Sequence, residues 1–340
     1  MAAYPYHQML RLRNFTAFKE AEFEFVPGIN VLVGENGTGK THLLKAIYAI
    51  QLTLSRDLPN IWEPLQELFQ TRYLADVVRM GTAKDVRAEA NGVYNHHEWS
   101  YSIGHDTMTA CGGSREMIKP ERPVFIPAID MMGHTRGFTE AYSEVRLDFD
   151  LTCRDIVNLL RLERRNGNGG DGGRSGLVKL LGGDIVYDDE GRYYLVTKLG
   201  RQPMPMISEG LRKIATLVQL ERNGWLAPGS TLFWDEPEVN LNPVLMDELI
   251  GELLTLARSG VQVFLATHSY VILKELDLQA TLEDNVRFFS LKGDKTGTQV
   301  MATDTFTGLK PNPILQQYGS LYDRDISRAT GRKPRSEKVR

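Results

Sequence analysis

The feature that most constrains this chain is the glycine-rich stretch "GENGTGKT", Gly34 to Thr41. It follows the apolar run "INVLV" and precedes "KTHLLKAIYAIQL", which has helical apolar spacing. A strand, this loop and a helix form the context in which GxxxxGK[ST] binds nucleotide phosphates. The glycines let backbone N–H groups approach phosphate oxygens, and the helix N-terminus adds positive partial charge. The sequence therefore predicts a nucleotide site in an α/β fold of the P-loop NTPase class.

Two side chains of this loop have predicted chemical roles. Lys40 is expected to reach the β- and γ-phosphates, and Thr41 to place its hydroxyl on Mg²⁺. The predicted nucleotide-binding residues are Gly34, Asn36, Gly37, Thr38, Gly39, Lys40, Thr41 and His42.

A second motif, "TLFWDEPEVNLNP", reads as a buried strand that ends in two adjacent carboxylates. Buried carboxylates are costly to ionise unless cations lie nearby, and Mg²⁺ would supply that compensation. We expect Asp235 to hold the ion and Glu236 to polarise the attacking water. The alternative is a pair of surface acids before a turn. Glu238 and Asn240 read as turn residues, and Asn242 as the N-cap of the next helix.

A third motif closes the strand "VQVFLATHS". We expect this strand to lie beside the one that ends at Asp235, so that the ring of His268 could meet the γ-phosphate. A lone histidine is otherwise commonly structural.

A helix is predicted to begin after Ser208 in "PMISEGLRKIATLVQL", because Leu211, Ile214 and Val218 recur at helical spacing. A capped helix has no need of a glycine at position 210. Gly210 therefore suggests that something approaches the backbone there.

The chain alternates buried strands with helices, which favours a parallel central sheet, and it adds two hairpins with predicted turns at Asn91-Gly92 and Glu190-Gly191. We expect a single domain over 1–340 that is divided into smaller parts. These are a nucleotide-binding core at 1–57 and 205–305, an inserted β and helical region at 58–204 with a Gly-rich loop at 166–176, and a basic, disordered tail at 325–340.

The net charge, the cysteine content and the absence of long apolar runs indicate the cellular compartment in which the protein is expected. A formal net charge of −3 argues against binding through overall positive charge, and Cys111 and Cys153 form no CxxC pair. Neither a signal peptide pattern nor a membrane-length apolar run is visible in the sequence. We therefore expect a cytoplasmic protein with no membrane partner and reduced thiols.

These motifs together resemble the SMC/RecF/OLD-like branch of ABC-type ATPases. The resemblance lies in "INVLVGENGTGKT", "ISEGLRK", "DEPEVNLNP" and "FLATHS", and covers residues 8–50, 124–160 and 205–270. GTPases would need an NKxD-type motif, and AAA+ proteins and small kinases do not place a Ser-x-Gly helix before the Asp-Glu strand. The resemblance implies an ABC-type ATPase head with an antiparallel β subdomain and an inserted helical subdomain.

The resemblance also implies a shared active site. Ser208, Glu209 and Gly210 would form a signature that binds the γ-phosphate held by a second subunit, so that two ATP molecules join a homodimer. Gly210 would then be bare because the partner's ATP approaches it. Asp130, in a segment similar to a Q-loop, is a further metal candidate, although glutamate or glutamine is expected there. Arg13 and Phe15 are candidate adenine contacts.

The leading functional hypothesis is a regulatory ATPase that acts on a separate effector protein in bacterial anti-phage defence or toxin control. The sequence shows neither long heptads nor a Toprim-like acidic cluster. The alternative is a RecF-like DNA-binding ATPase, for which Arg161, Arg164, Arg165 and the basic tail are the candidates for DNA contacts. A nuclease using His96, His97, His105 and His134 with metal has no supporting spacing, and the signature differs from the LSGGQ type of transporters.

Overall fold

The computed structural model describes residues 4–104, 107–111, 119–145, 147–162, 175–294 and 297–331. Its strands are β1 (His7–Phe15), β2 (Phe18–Glu24), β3 (Ile29–Gly34), β4 (Ala88–Tyr94), β5 (His97–Ile103), β6 (Met108–Cys111), β7 (Val124–Ile126), β8 (Asp184–Tyr187), β9 (Tyr193–Thr197), β10 (Gly200–Pro203), β11 (Thr231–Asp235), β12 (Gln262–Thr267), β13 (Val286–Asp294) and β14 (Gly297–Thr303). Its α-helices are α1 (Lys40–Arg56), α2 (Trp62–Phe69), α3 (Phe138–Val145), α4 (Leu151–Arg161), α5 (Ser175–Leu181), α6 (Glu209–Arg222), α7 (Met246–Arg258), α8 (Tyr270–Gln279) and α9 (Pro313–Thr330).

The nucleotide-binding motifs lie on a six-stranded sheet with the order β14-β13-β3-β12-β11-β7. Strands β13, β3, β12, β11 and β7 run parallel, and β14 adds an antiparallel edge. Strands β3, β11 and β12 are buried along their whole length, as expected of a parallel sheet covered on both faces. The predicted α/β class and parallel central sheet are therefore confirmed.

Alternate side chains of β3 show how the layers are built. Ile29, Val31 and Val33 join a core with α4, α6 and α7, whereas Leu32 joins a second core with α1 and the antiparallel strands. The period of two along a strand sends neighbouring side chains to opposite faces. The central sheet is thus enclosed between a helical layer and a layer formed by α1 and an antiparallel sheet.

The antiparallel sheet has the order β2-β1-β4-β5-β6, so β4 of the predicted inserted region pairs with β1 of the predicted core, and β5 and β6 continue the sheet beyond it. The β4–β5 turn lies at Asn95 and His96, both with positive φ, and not at Asn91-Gly92 as predicted. Gly92 is inside β4, where a Cβ would lie 2.1 Å from the Trp99 ring. Packing against Trp99 requires a glycine at position 92, so the Asn-Gly pair lies within the strand and does not form the turn.

The other boundaries follow the sequence more closely. The β8–β9 hairpin turns through Glu190 and Gly191, as predicted, and α6 ends at Arg222 before Gly224, whose φ is 76°. Helix α9 extends into the predicted tail as far as Thr330, while 332–340 lie outside the described residues. Most of the Gly-rich loop, 166–174, also lies outside them. Among the helices described, none has the length and apolar character needed to cross a bilayer.

Candidate nucleotide site

The loop 34–41 joins β3 to α1, and its glycines are required by conformation and space. Gly37 and Gly39 have φ values of 79° and 94°, in the region that favours glycine. A Cβ on Gly39 would lie 2.9 Å from the Phe18 ring, and one on Gly34 would lie 2.4 Å from the Leu291 carbonyl oxygen. The backbone can therefore curve around a phosphate only with these glycines in place.

The side chains of the loop differ in burial and in their hydrogen-bond partners. Lys40 is buried, and its ammonium donates to the carbonyl oxygens of Gly34 at 2.9 Å and Glu35 at 3.0 Å. Asn36 is exposed, and the Thr38 hydroxyl donates back to the Glu35 carbonyl oxygen. His42, at the start of α1, packs its ring against Phe69 at the end of α2.

Burial lowers the pKa of Lys40, and the carboxylates of Asp235, Glu236 and Glu238 oppose that shift. These acids come from the β11 end and the turn after it. The basic and acidic motifs, almost 200 residues apart in the chain, therefore form one site.

Thr41 and Asp235 make direct contact, because β11 ends beside the first turn of α1. The Thr41 hydroxyl donates to Asp235 Oδ2 at 2.8 Å. Asp235 is only 8% exposed, and burial raises its pKa to about 6; the Thr41 hydrogen bond opposes this shift, and Glu236 adds to it. A hydroxyl next to a buried, destabilised carboxylate suits a hard divalent cation. Among the described residues there is no cluster of three acidic, histidine or cysteine side chains that could bind a metal alone, so phosphate oxygens and water would have to complete the shell.

The raised pKa of Asp235 gives a testable stability effect. A carboxyl whose folded pKa lies above its ordinary 3.8 adds stability at low pH that is lost as the pH rises through 6. Ionised Asp235 should therefore cost about 3 kcal/mol at pH 8 and about half of that at pH 5. We expect Asp235→Asn to be more stable than wild type in urea without nucleotide or Mg²⁺, by more at pH 8 than at pH 5. Asp189→Asn, at an exposed aspartate, is the control. Equal effects of Asp235→Asn at both pH values would contradict the assignment.

Glu236 follows β11 in a left-handed conformation with φ 49°, which is strained for a residue with a side chain. Its N–H donates to the Ala266 carbonyl oxygen at 2.9 Å, which ties it to β12. His268, just beyond the end of β12, has Nε2 3.5 Å from Glu236 Oε1. Burial and then Lys40 lower the pKa of His268, so its ring is neutral at pH 7. The structure thus brings together the two predicted catalytic side chains.

Glu238 lies in the turn after β11, as predicted, and its carboxylate also supports the end of β12 beside His268. Oε1 accepts the Thr267 hydroxyl at 2.8 Å and the His268 N–H at 2.6 Å, and burial raises its pKa. The spacing of a second glutamate two residues after Glu236 was the only sequence signal. Asn242 does cap the turn before α7, as predicted, by accepting the Val244 N–H.

Ser208 is the N-cap residue of α6, as predicted, but its hydroxyl makes no cap hydrogen bond and is exposed. Glu209 begins the helix and is half-buried. Gly210 is buried, and a Cβ there would lie 2.5 Å from the Asn240 carbonyl oxygen and 2.9 Å from Leu241 Cα. The explanation given for this glycine from the resemblance needs correction, because the close approach comes from the turn after Glu236 in the same chain.

Asp130 makes protein contacts that argue against its tentative metal role. Its buried carboxylate pairs with Arg212 on α6 at 2.6 Å and accepts the N–H groups of Met132 and Gly133. Arg212 also donates to the Ile207 carbonyl oxygen at 2.6 Å. The segment predicted to resemble a Q-loop is therefore joined to the signature helix by a buried ion pair.

Several other candidates are occupied elsewhere or not described. Phe15 is fully buried and cannot stack on adenine. Arg13 forms an ion pair with Glu89, with Nη1 3.8 Å from Oε2. Arg161 pairs with Glu140, whereas Arg164, Arg165 and His105 lie outside the described residues. Cys153 is a buried free thiol whose pKa burial raises to about 12.

Two protein families match the chain, one over the segment with the glycine-rich loop and the other over the segment with Ser208, Asp235 and His268. Residues 143–274 match a family described as "AAA domain, putative AbiEii toxin, Type IV TA system", and residues 9–60 match one described as "AAA domain". Over 46 residues, or 14% of this chain, there is 52% identity to the DNA replication and repair protein RecF of Salinibacter ruber. Over 74 residues, or 22%, there is 36% identity to RecF of Chlamydia abortus. The chain spans only 11% and 17% of the length of these two relatives.

Solved structures resemble the chain over most of its length. The SMC head bound to the C-terminal winged-helix domain of ScpA gives a TM-score of 0.58 at 15% identity, covering 88% of this chain and 97% of that one. An SMC head with coiled coil and joint from Pyrococcus yayanosii gives 0.59 at 10% identity, covering 94% and 100%. Because both sequence identities are low, this structural similarity establishes the fold and not the function. The family matches and the order of the motifs agree with this fold, so the chain is similar in fold to SMC heads and similar over shorter segments to AAA domains and RecF.

Proposed function

We propose that this chain binds ATP between two copies of itself and uses hydrolysis to separate them. The observation that carries the proposal is the unused hydroxyl of Ser208, which is exposed at the N-terminus of α6, while Gly210 two residues later is buried. A helix N-terminus with a free hydroxyl suits an incoming phosphate oxygen. The cradle of loop 34–41 supplies the other half of such a site.

The residues of one chain can carry most of the reaction. Loop amides and Lys40 would bind the β- and γ-phosphates of ATP, for which Lys40 exchanges its present bonds to the loop carbonyls. Glu236 would accept a proton from the attacking water as its oxygen meets the γ-phosphorus. Neutral His268, held by Glu238, would donate a hydrogen bond to the γ-phosphate. Ser208 of the partner subunit would complete the shell.

Thr41 and Asp235 would hold the Mg²⁺ ion. The ion, when bound, neutralises charge that develops on the β- and γ-phosphate oxygens. Its binding favours the ionised form of Asp235, whose raised pKa otherwise favours the protonated form.

The ATP-bound dimer would act as a switch on a separate effector protein. The match to a family described by a toxin–antitoxin system supports a role in toxin control or anti-phage defence. The test is co-purification of the products of neighbouring genes with the Glu236→Gln protein, with and without ATP. Failure to retain any of them in either state would remove the support for an effector.

The RecF similarity favours a second candidate, an ATPase that acts on duplex DNA. DNA binding would require phosphate contacts by basic side chains and would weaken steeply with salt. Of the basic candidates that the structure describes, Arg161 is paired with Glu140. Titration of a DNA duplex at two salt concentrations separates the candidates, because only a DNA-acting enzyme gains affinity steeply at low salt.

The shared site itself is tested by dilution of the wild-type protein. A site completed in trans should lose turnover per chain as the protein is diluted below the dissociation constant of its dimer, at saturating ATP. The rate of ATP hydrolysis, measured over a thousandfold range of protein concentration, should therefore rise more steeply than the protein concentration itself. Constant specific activity, together with a monomer on analytical ultracentrifugation with ATP, would refute the shared site.

A further inference from the structure

Lys213 is a charged side chain that the mechanism above does not use. It lies on α6, one turn after Gly210 on the same helix face, and is only 1% exposed. Burying an ammonium is expensive unless hydrogen bonds and opposite charges compensate for it. A lysine retained at such a position therefore needs an identified partner.

The partner is the main chain of Glu236. Lys213 Nζ donates to the Glu236 carbonyl oxygen at 3.2 Å. Burial lowers the pKa of Lys213, while the carboxylates of Glu209, Glu238, Asp130 and Glu236 oppose that shift. The ammonium is thus held in an acidic environment directly behind the residue that would activate water.

The same helix face contacts the rest of the turn. Gly210 packs closely on Asn240 and Leu241, so the Glu236–Leu241 turn is held near both of its ends by α6. Glu236 itself has the strained φ of 49°, which persists only where surrounding contacts enforce it. The Lys213 ammonium and the Val239 N–H both donate to the Glu236 carbonyl oxygen, at 3.2 Å each, so the peptide that follows Glu236 is held from α6 as well as from within the turn.

We propose that Lys213 is a positioning residue that holds Glu236 in its hydrolysis-competent conformation and links it to the signature helix of the same chain. This inference rests on the proposed role of Glu236. In the proposed dimer, Ser208 serves the partner's ATP while Glu236 serves the ATP of its own chain. Lys213 then forms a physical connection between the two active sites through a single helix turn.

The test is Lys213→Met, which keeps an unbranched side chain only one atom shorter and removes its charge. A buried lysine replaced by an apolar side chain of similar volume is not expected to unfold the protein, since desolvation of the ammonium no longer opposes folding. We expect kcat for ATP to fall at least about tenfold with KM changed less than about twofold, because the lost interaction acts on Glu236 and not on ATP binding. Lys213→Arg should recover part of kcat, since it restores a donor.

Thr216→Val is the matched control. Thr216 is buried on the same helix, and its hydroxyl donates to the Arg212 carbonyl oxygen within α6. This variant perturbs the helix core without touching Glu236 and should keep kcat within about twofold of wild type. The melting temperature of each variant is measured alongside its kinetics.

Wild-type kcat in Lys213→Met would overturn the proposal. So would a loss of kcat that Lys213→Arg does not relieve and that follows a lowered melting temperature, since the role would then be structural. A wild-type protein that hydrolyses no ATP would instead count against the proposed function. ATP-driven dimerisation in Lys213→Met with Glu236→Gln should persist, which separates this residue from the signature itself.

Discussion

Replacing Glu236 by glutamine should stop ATP hydrolysis while leaving ATP bound, and the protein should accumulate as dimers. The amide has the size of the carboxylate but cannot take a proton from water, so turnover is expected to fall at least about a hundredfold. Thr41, Asp235 and Lys40 are unchanged, so ATP affinity should be kept. Because hydrolysis is what separates the proposed dimer, the ATP-bound form should persist on size exclusion with ATP and Mg²⁺.

The matched control is Glu248→Gln, at an exposed glutamate on α7. It should hydrolyse ATP at the wild-type rate and return to monomers as ATP is consumed. A Glu236→Gln protein that binds ATP yet stays monomeric at micromolar concentration would contradict the dimerisation scheme. One that still hydrolyses ATP rapidly would remove Glu236 from the mechanism.

The fold was predictable where the motifs carry a strict local requirement. The strand, loop and helix around Gly34–Thr41 and the strand before Asp235 follow from apolar runs and from the backbone freedom of glycine. The pairing of β4 with β1 was not predictable, because it joins segments about 80 residues apart through sheet register. The turn at Asn95 and His96 was missed because Asn-Gly is the stronger local signal, and packing on Trp99 overrode it.

The candidate site shows the same division between local and tertiary information. The structure brings Thr41, Asp235, Glu236 and His268 together, as their places at strand ends suggested. The supporting contacts depend on which buried groups meet across elements, and a sequence pattern cannot show this. Glu238 read as a turn residue and Lys213 as one more polar position on a helix, yet both are buried against the backbone that carries a predicted catalytic side chain.

Ser208→Arg should give a protein that folds and binds ATP but does not hydrolyse it. Ser208 is exposed and makes no cap hydrogen bond, so the exchange should change the free energy of unfolding by less than about 1 kcal/mol. Loop 34–41 is untouched, which keeps the ATP cradle intact. The arginine would fill the space into which the partner's γ-phosphate must enter, so both shared sites would fail. Equilibrium ATP binding, steady-state hydrolysis and sedimentation with ATP measure the three properties separately.

Mixing this variant with Lys40→Ala distinguishes a shared site from a site within one chain. Lys40→Ala removes the phosphate contact of the cradle and should bind ATP at least about tenfold more weakly. In a mixed dimer, the intact Lys40 of one subunit faces the intact Ser208 of the other, so one complete site is restored. Random pairing makes about half of the dimers mixed with one working site each, so turnover should rise to about a quarter of wild type. Two inactive proteins that stay inactive on mixing, although they form mixed dimers, would show that Ser208 does not act across the interface. Recovery of activity requires that each active centre draw residues from two chains.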